Sequence, residues 1–114
     1  MHAADSPDNA RQGPLTGLKV VELGQLIAGP FAAKTLADFG AEVIKIEPLG
    51  SGDPLRQWRL LHNGTSVWWQ VQSRNKLSVA LDLKDADSRD IVRRLIAEAD
   101  VLVHRRAAAR QPRR

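Results

Sequence analysis

Between Leu18 and Val103 the apolar residues switch between two rhythms. Leu18, Val20, Val21 and Leu23 make a short run rich in β-branched side chains, as expected of a strand buried on both faces of a parallel sheet. Ala33, Leu36 and Ala37 then recur at helical spacing. Ahead of them Pro30 suits the first helical position, where its missing N–H and fixed φ cost nothing, and Gly40 is placed to stop the helix in a left-handed conformation. Val43, Ile44 and Ile46 make a second strand. A connection of this length predicts a right-handed crossover between parallel strands, so Leu18 to Arg56 reads as a βαβ unit with a loop at the carboxyl end of each strand, where open α/β sheets bind ligands.

The pattern continues after a long connection, Pro48 to Gly64, which holds Gly50, Gly52, Pro54 and Gly64 and whose length suggests a functional loop. Thr65 could cap a short helix with Val67, Trp68 and Val71 on one face, although Trp69 and Val71 also alternate like a strand; the helix is preferred. Leu77, Val79 and Leu81 alternate with polar or small residues in a third strand, LSVALDL. Asp85 is a good N-cap and Asp87 complements the helix dipole ahead of Ile91, Val92, Leu95, Ile96 and Ala99, which repeat at helical spacing. Val101 to Val103 begins a fourth strand. The fold class is therefore α/β, Rossmann-like βαβ units around a small parallel sheet that looks like the incomplete amino-terminal part of a larger domain.

Composition changes this picture little. A chain of 114 residues with 43% apolar and 26% charged residues is an ordinary globular mixture, large enough for one modest core. With no cysteine, disulfides, thiolate metal sites and a cysteine nucleophile are excluded. Residues 1–13 are polar and read as a disordered leader without a signal core or transit pattern, and no apolar run approaches membrane-spanning length, so a cytoplasmic protein without membrane contact is expected. The net charge of +4 suggests nucleic acid until it is mapped, because five of the last ten residues are arginine. Residues 14–104 form the expected domain and 105–114 a basic tail. A nucleic-acid binder working through that tail is the reading it leaves open, and no nucleic acid is expected at the folded part.

Several residues carry candidate chemistry. In Gly24 to Pro30, GQLIAGP, free N–H groups near Ala28, Gly29 and Phe31 could meet a phosphate at a helix amino terminus; the plainer reading is a tight turn that needs glycine. Only Gly24 and Gly29 are present, so this is no GxGxxG fingerprint, which weakens nicotinamide or flavin binding. Glu47 stands where a dinucleotide fold places its ribose-binding acid, or else is a solvated strand-end acid paired with Lys45. Arg56, Lys76 and Lys84 are the basic residues best placed beside loops for a ligand's phosphates, against the commoner fate of a solvated surface charge. Trp58, Trp68 and Trp69 suit packing better than base stacking, His62 reads as a loop histidine, and His2, His62 and His104 lack metal-ligand spacing, so no metal is expected. Asp53, in GSGDPLR, is tempting as a nucleophile, but Asp-Pro after Gly-Ser-Gly is turn chemistry, and it is assigned a structural, site-shaping role.

The AGP turn, GAEVIKIE, GSGD and NKLSVALDLK occur in one order and spacing, and over Pro14 to Val103 the chain resembles the amino-terminal part of class III coenzyme A transferases, the formyl-CoA transferase and carnitine dehydratase-like (CaiB/BaiF) family. The resemblance implies coenzyme A as substrate, acyl-CoA and a carboxylic acid as partners, and Leu26, Ile27, Ala28, Leu81 and Lys84 near the bound coenzyme A. Pro48 stands where relatives can present arginine. It also implies a reaction in which an aspartate attacks the thioester, forming a mixed anhydride and then an aspartyl thioester. That aspartate lies beyond the matched region and none of Asp38, Asp53, Asp82 or Asp85 corresponds to it, so no catalytic residue is assigned and the free chain is expected to be inactive. Relatives form intertwined homodimers, an arrangement that needs the rest of the chain. His104, Arg105 and Arg106 replace the family's Glu-Asn-Phe, which suggests a truncated or frameshifted ending. Racemases of 2-methylacyl-CoA share the same amino-terminal pattern and are an alternative parent, and a non-catalytic nucleotide-binding or interaction module is a second.

Overall fold

In the computed structural model, which describes residues 13–104, strands and helices follow the expected alternation. The leader expected over residues 1–13, apart from Gly13, and the tail expected over 105–114 lie outside the described residues. The elements are β1 (Lys19–Glu22), α1 (Ala28–Asp38), β2 (Glu42–Glu47), a short 3-10 helix (Pro54–Gln57), β3 (Leu61–His62), β4 (Thr65–Ser66), α2 (Val67–Gln72), β5 (Lys76–Ala80), α3 (Ala86–Ala97) and β6 (Val101–Val103). Four strands make one parallel sheet in the order β5-β2-β1-β6, and β3 and β4 pair as a separate antiparallel ribbon inside the long connection.

Local chemistry explains the ends of the elements. Helix α1 begins two residues before Pro30, which still falls in the first turn, where a missing N–H is harmless. It stops in a Schellman motif: Gly40 N–H donates to Ala37 O (3.0 Å), Ala41 N–H donates to Leu36 O (3.1 Å), and Gly40 has φ +110°. Helix α2 is capped by Ser66, whose hydroxyl accepts from Trp69 N–H, while Thr65 belongs to β4. The short helix is thus present, with its cap one residue later than the sequence suggests. Asp85 caps α3 by accepting from Ser88 N–H.

Each face of the sheet has its own helix. Val20 and Val43 pack with Ala33, Ala37 and Ala41 beneath α1, and Val21 and Ile46 pack with Val92 beneath α3. Because side chains alternate across a strand, Val20 and Glu22 share the α1 face with Val43, Lys45 and Glu47. That face is therefore apolar toward the amino ends of the strands and charged toward their carboxyl ends. The α3 face is apolar from its middle to its carboxyl end, with Leu23, Ile44, Val79 and Leu81 partly buried against it, and Lys19 and Glu42 stand at its amino end.

Candidate functional site

The carboxyl ends of β1, β2 and β5 converge on a cleft of about 490 Å³. Leu23, Ile46, Leu49, Leu81 and Leu83 give it apolar walls, and Gln25, Asp82 and Lys84 stand at its polar side. The Lys84 ammonium is exposed and makes no ion pair or hydrogen bond among the described residues. A smaller hollow of about 160 Å³ lies across Glu47 and Pro48, lined also by Gly50, Ser51, Gly52 and Arg56. Pro48 lines both, so the loop after β2 forms a wall of each.

Of the residues expected near the ligand, Leu81 and Lys84 are together in the cleft, whereas Leu26, Ile27 and Ala28 form the neighbouring turn, joined to it through Gln25. Leu26 has φ +65°, a left-handed conformation uncommon for a leucine. Ile27 occupies the N-cap of α1 without a side-chain cap, and the first turn has no acidic residue. Phe31 N–H is taken by Ile27 O (2.8 Å), so it is not the free donor expected from the sequence. The donors left at this helix end are those of Ala28 and Gly29, since Pro30 has none. Gly24 and Gly29 are in close contact: a Cβ on Gly24 would sit 2.9 Å from the Gly29 Cα, and one on Gly29 2.8 Å from the Gly24 Cα.

Beneath this turn lies a buried cluster of four charges. Lys45 Nζ donates to Glu22 Oε2 (2.5 Å) and Gly24 O (3.0 Å) and pairs with Asp53 Oδ2 (2.8 Å), and Lys76 Nζ pairs with Glu22 Oε1 (2.7 Å) and donates to Pro30 O (2.9 Å). All four side chains are at most 3% exposed. Burial pushes the Lys76 ammonium below its ordinary pKa, against the opposing pull of Glu22. The formal charges balance, which is what makes such burial tolerable. Asp53 therefore has the structural place expected of it, capping the 3-10 helix at Leu55 N–H and also accepting from Leu26 N–H (3.1 Å).

Two other expectations are corrected. Glu47 is neither solvated nor paired with Lys45: it is 3% exposed and accepts from Asp53 N–H (2.8 Å), from Arg56 Nε (2.8 Å) and Nη2 (2.7 Å), and from the Ser78 hydroxyl. Burial alone would raise its pKa, but the hydrogen bonds from Arg56, Ser78 and Asp53 outweigh it and bring Glu47 down to about 2. Arg56 and Lys76, expected beside a ligand's phosphates, are instead committed to Glu47 and Glu22; the bond to Glu47 raises the Arg56 pKa, and its guanidinium lies 4.0 Å from the Trp69 ring centre. Trp58 and Trp68 pack edge to face at 5.7 Å, and His62 sits exposed on the β3–β4 ribbon. Among the described residues no group of three or more His, Cys, Asp or Glu is placed to hold a metal ion.

Sequence reasoning missed the charged cluster and much of the cleft. Its signal was available in the strands: VVELG, VIKIE and NKLS each carry a charge within an apolar run, and β1, β2 and β5 pair in a register that sets Glu22 beside Lys45 and Lys45 beside Ser78.

The chain is similar to known proteins. The chain is 47% identical over 91 residues to a succinyl-CoA–D-citramalate CoA-transferase of Chloroflexus aurantiacus, covering 79% of this chain and 23% of that protein. It is 44% identical over 91 residues to the human succinyl-CoA:glutarate CoA-transferase, covering 79% and 21%. Its structure superposes on that of a CAIB/BAIF family protein from Brucella suis with a TM-score of 0.72 and 42% identity, covering 80% of this chain and 25% of that one. The chain thus spans about a quarter of the length of these relatives. The model of CoA-transferase family III matches residues 15–113, and the chain belongs to that family.

Proposed function

We propose that residues 14–104 form the coenzyme A-binding, amino-terminal part of a transferase that moves coenzyme A between carboxylic acids. The observation that carries this reading is the 490 Å³ cleft at the strand ends, with an exposed Lys84, unpaired among the described residues, on one side and an uncapped helix amino terminus beside it. An adenine needs apolar walls such as those of Leu81 and Leu83, and phosphates need donors such as Lys84 and the N–H groups of Ala28 and Gly29. Two relatives are named for succinyl-CoA, which makes a short dicarboxylyl-CoA the first donor to test. Calorimetry on the 114-residue chain is expected to show saturable binding of coenzyme A, tighter than that of ADP or NAD. Equal binding of all three, or none, would refute the reading.

The chain is proposed to lack turnover of its own. Asp53 is fully engaged in the buried cluster, Asp38 pairs with Lys34, and Asp82 and Asp85 accept from backbone N–H groups around the start of α3. Of these four only Asp82 lines the cleft, where its Oδ1 is held by Lys84 N–H, and none corresponds to the nucleophilic aspartate that the family resemblance implies. Assay with succinyl-CoA and glutarate is expected to give no product above background, and turnover would overturn this part. A cytoplasmic location is proposed as well; among the described residues no helix is long and apolar enough to cross a membrane. Sedimentation is expected to show a monomer, since the intertwined dimer requires sequence beyond this chain.

A further inference from the structure

Asp53 reaches from one loop into the backbone of another. The connection after β2 carries Pro48 and Leu49 on the cleft wall, turns through Gly50 (φ +78°) and Gly52 (φ +71°), and delivers Asp53 beneath the Gly24–Pro30 turn. A side chain at Gly52 would strike Arg56 and Glu47 at 2.7–2.8 Å, so the loop is closely seated. Asp53 is 1% exposed and uses each oxygen separately: Oδ1 accepts from Leu26 N–H (3.1 Å) and Leu55 N–H (2.9 Å), and Oδ2 meets Lys45 Nζ (2.8 Å). Lys45 and Lys76 hold the same turn at Gly24 O and Pro30 O. The turn is therefore fixed at three backbone atoms by buried charges, and only the middle one acts at Leu26 itself, whose φ is left-handed.

We infer that Asp53 is the positioning residue of the Gly24–Pro30 turn, holding Leu26 in its left-handed conformation so that the N–H groups of Ala28 and Gly29 stay aimed at a ligand phosphate, and coupling that turn to the cleft wall at Pro48 and Leu49. The ligand named here rests on the coenzyme A reading; the backbone effect does not. A turn left to itself would relax toward the conformations leucine prefers, and its donors would be dispersed. Fixed donors lose little freedom when an anion arrives, which is the advantage of preorganisation.

The test uses the 114-residue chain as wild type, Asp53→Asn and Asp53→Ala. By amide hydrogen exchange, Leu26 N–H in the wild type should exchange on the order of 100-fold more slowly than those of Gln25 and Ile27, although Leu26 is 37% exposed. D53A should erase that protection and move the Ala28 and Gly29 resonances, while α3 stays as it was. D53N, whose amide oxygen can accept the same bond, should keep much of it. Coenzyme A should bind D53A about tenfold more weakly and adenosine 3′,5′-bisphosphate within about twofold of wild type, since on the coenzyme A reading the turn takes the pyrophosphate group that the bisphosphate lacks. Wild-type Leu26 exchanging as fast as its neighbours would overturn the inference even if D53A failed to fold, as would equal weakening of both ligands. A wild type that ignores coenzyme A would refute the functional reading alone, and the exchange result would still decide the role of Asp53.

Discussion

Replacing Lys45 by methionine asks how far the fold depends on its buried charges. Lys45 is 1% exposed and its ammonium serves Glu22, Asp53 and the Gly24 carbonyl at once. Methionine fills similar space but leaves two buried carboxylates sharing the single Lys76 ammonium, which already lies on Glu22. Breaking a buried pair on one side costs about 3–5 kcal/mol, and an orphaned carbonyl adds about 1 kcal/mol. Small domains have only about 5–15 kcal/mol in total, and each kcal/mol shifts the melting point of one this size by roughly 4–5 °C. A fall of about 15–30 °C is expected, measured by urea and thermal unfolding with tryptophan fluorescence. Adding Asp53→Asn to the Lys45→Met protein restores charge balance around Glu22 and Lys76, and should recover about 2 kcal/mol although the same change destabilises the wild type. A loss under about 1 kcal/mol, or additive losses in the double variant, would show that the cluster does not work as a unit.

Three other outcomes follow from the geometry. Glu47 titrates near 2 in the folded protein against 4.5 unperturbed, so its contribution is complete above about pH 4.5 and is lost as pH falls toward 2. Arg56 is 37% exposed, and screening reduces that contribution to about 1–2 kcal/mol; Arg56→Gln should move the acid-unfolding midpoint upward, and an unchanged midpoint would contradict the pairing. Gly24→Ala should cost about 1–3 kcal/mol by forcing α1 away from β1, measurable by chemical denaturation, whereas a neutral effect would mean the helix can shift freely. Lys84→Ala should leave the melting point within about 2 °C, because the ammonium has no partner among the described residues, yet weaken coenzyme A binding about five- to tenfold in calorimetry.

Strand and helix identities were legible because their apolar spacing is local. Val20, Val21, Val43 and Ile46 announce strands, and Ala33 and Ala37 announce a helix, without any knowledge of neighbours. Leu81 and Lys84 both line the cleft. Charges were harder to place, because a lysine or glutamate in a strand reads the same whether it ends in water or in a salt bridge. Glu47, Arg56 and Lys76 each stand beside a loop, where solvent or ligand is the natural expectation; only the register of β1, β2 and β5 and the path of the glycine loop reveal that Glu47 meets Arg56 and Lys76 meets Glu22. Capping at Ser66 was missed for a smaller reason, since Thr65 and Ser66 are both good caps and the choice depends on the ribbon that β4 makes with β3.

The contact between Gly24 and Gly29 also divides the turn by its capacity to change. Neither glycine has room for a side chain, so the two ends of the turn are closed to substitution by backbone contact alone. Between them, Gln25, Leu26, Ile27 and Ala28 are all exposed, and their side chains carry none of the sheet's packing. New side chains at those four positions would alter what the strand ends meet while the path of the chain stayed fixed. A scaffold of this kind can acquire a different ligand through a few surface replacements, with the loss of stability that usually accompanies a new specificity largely avoided.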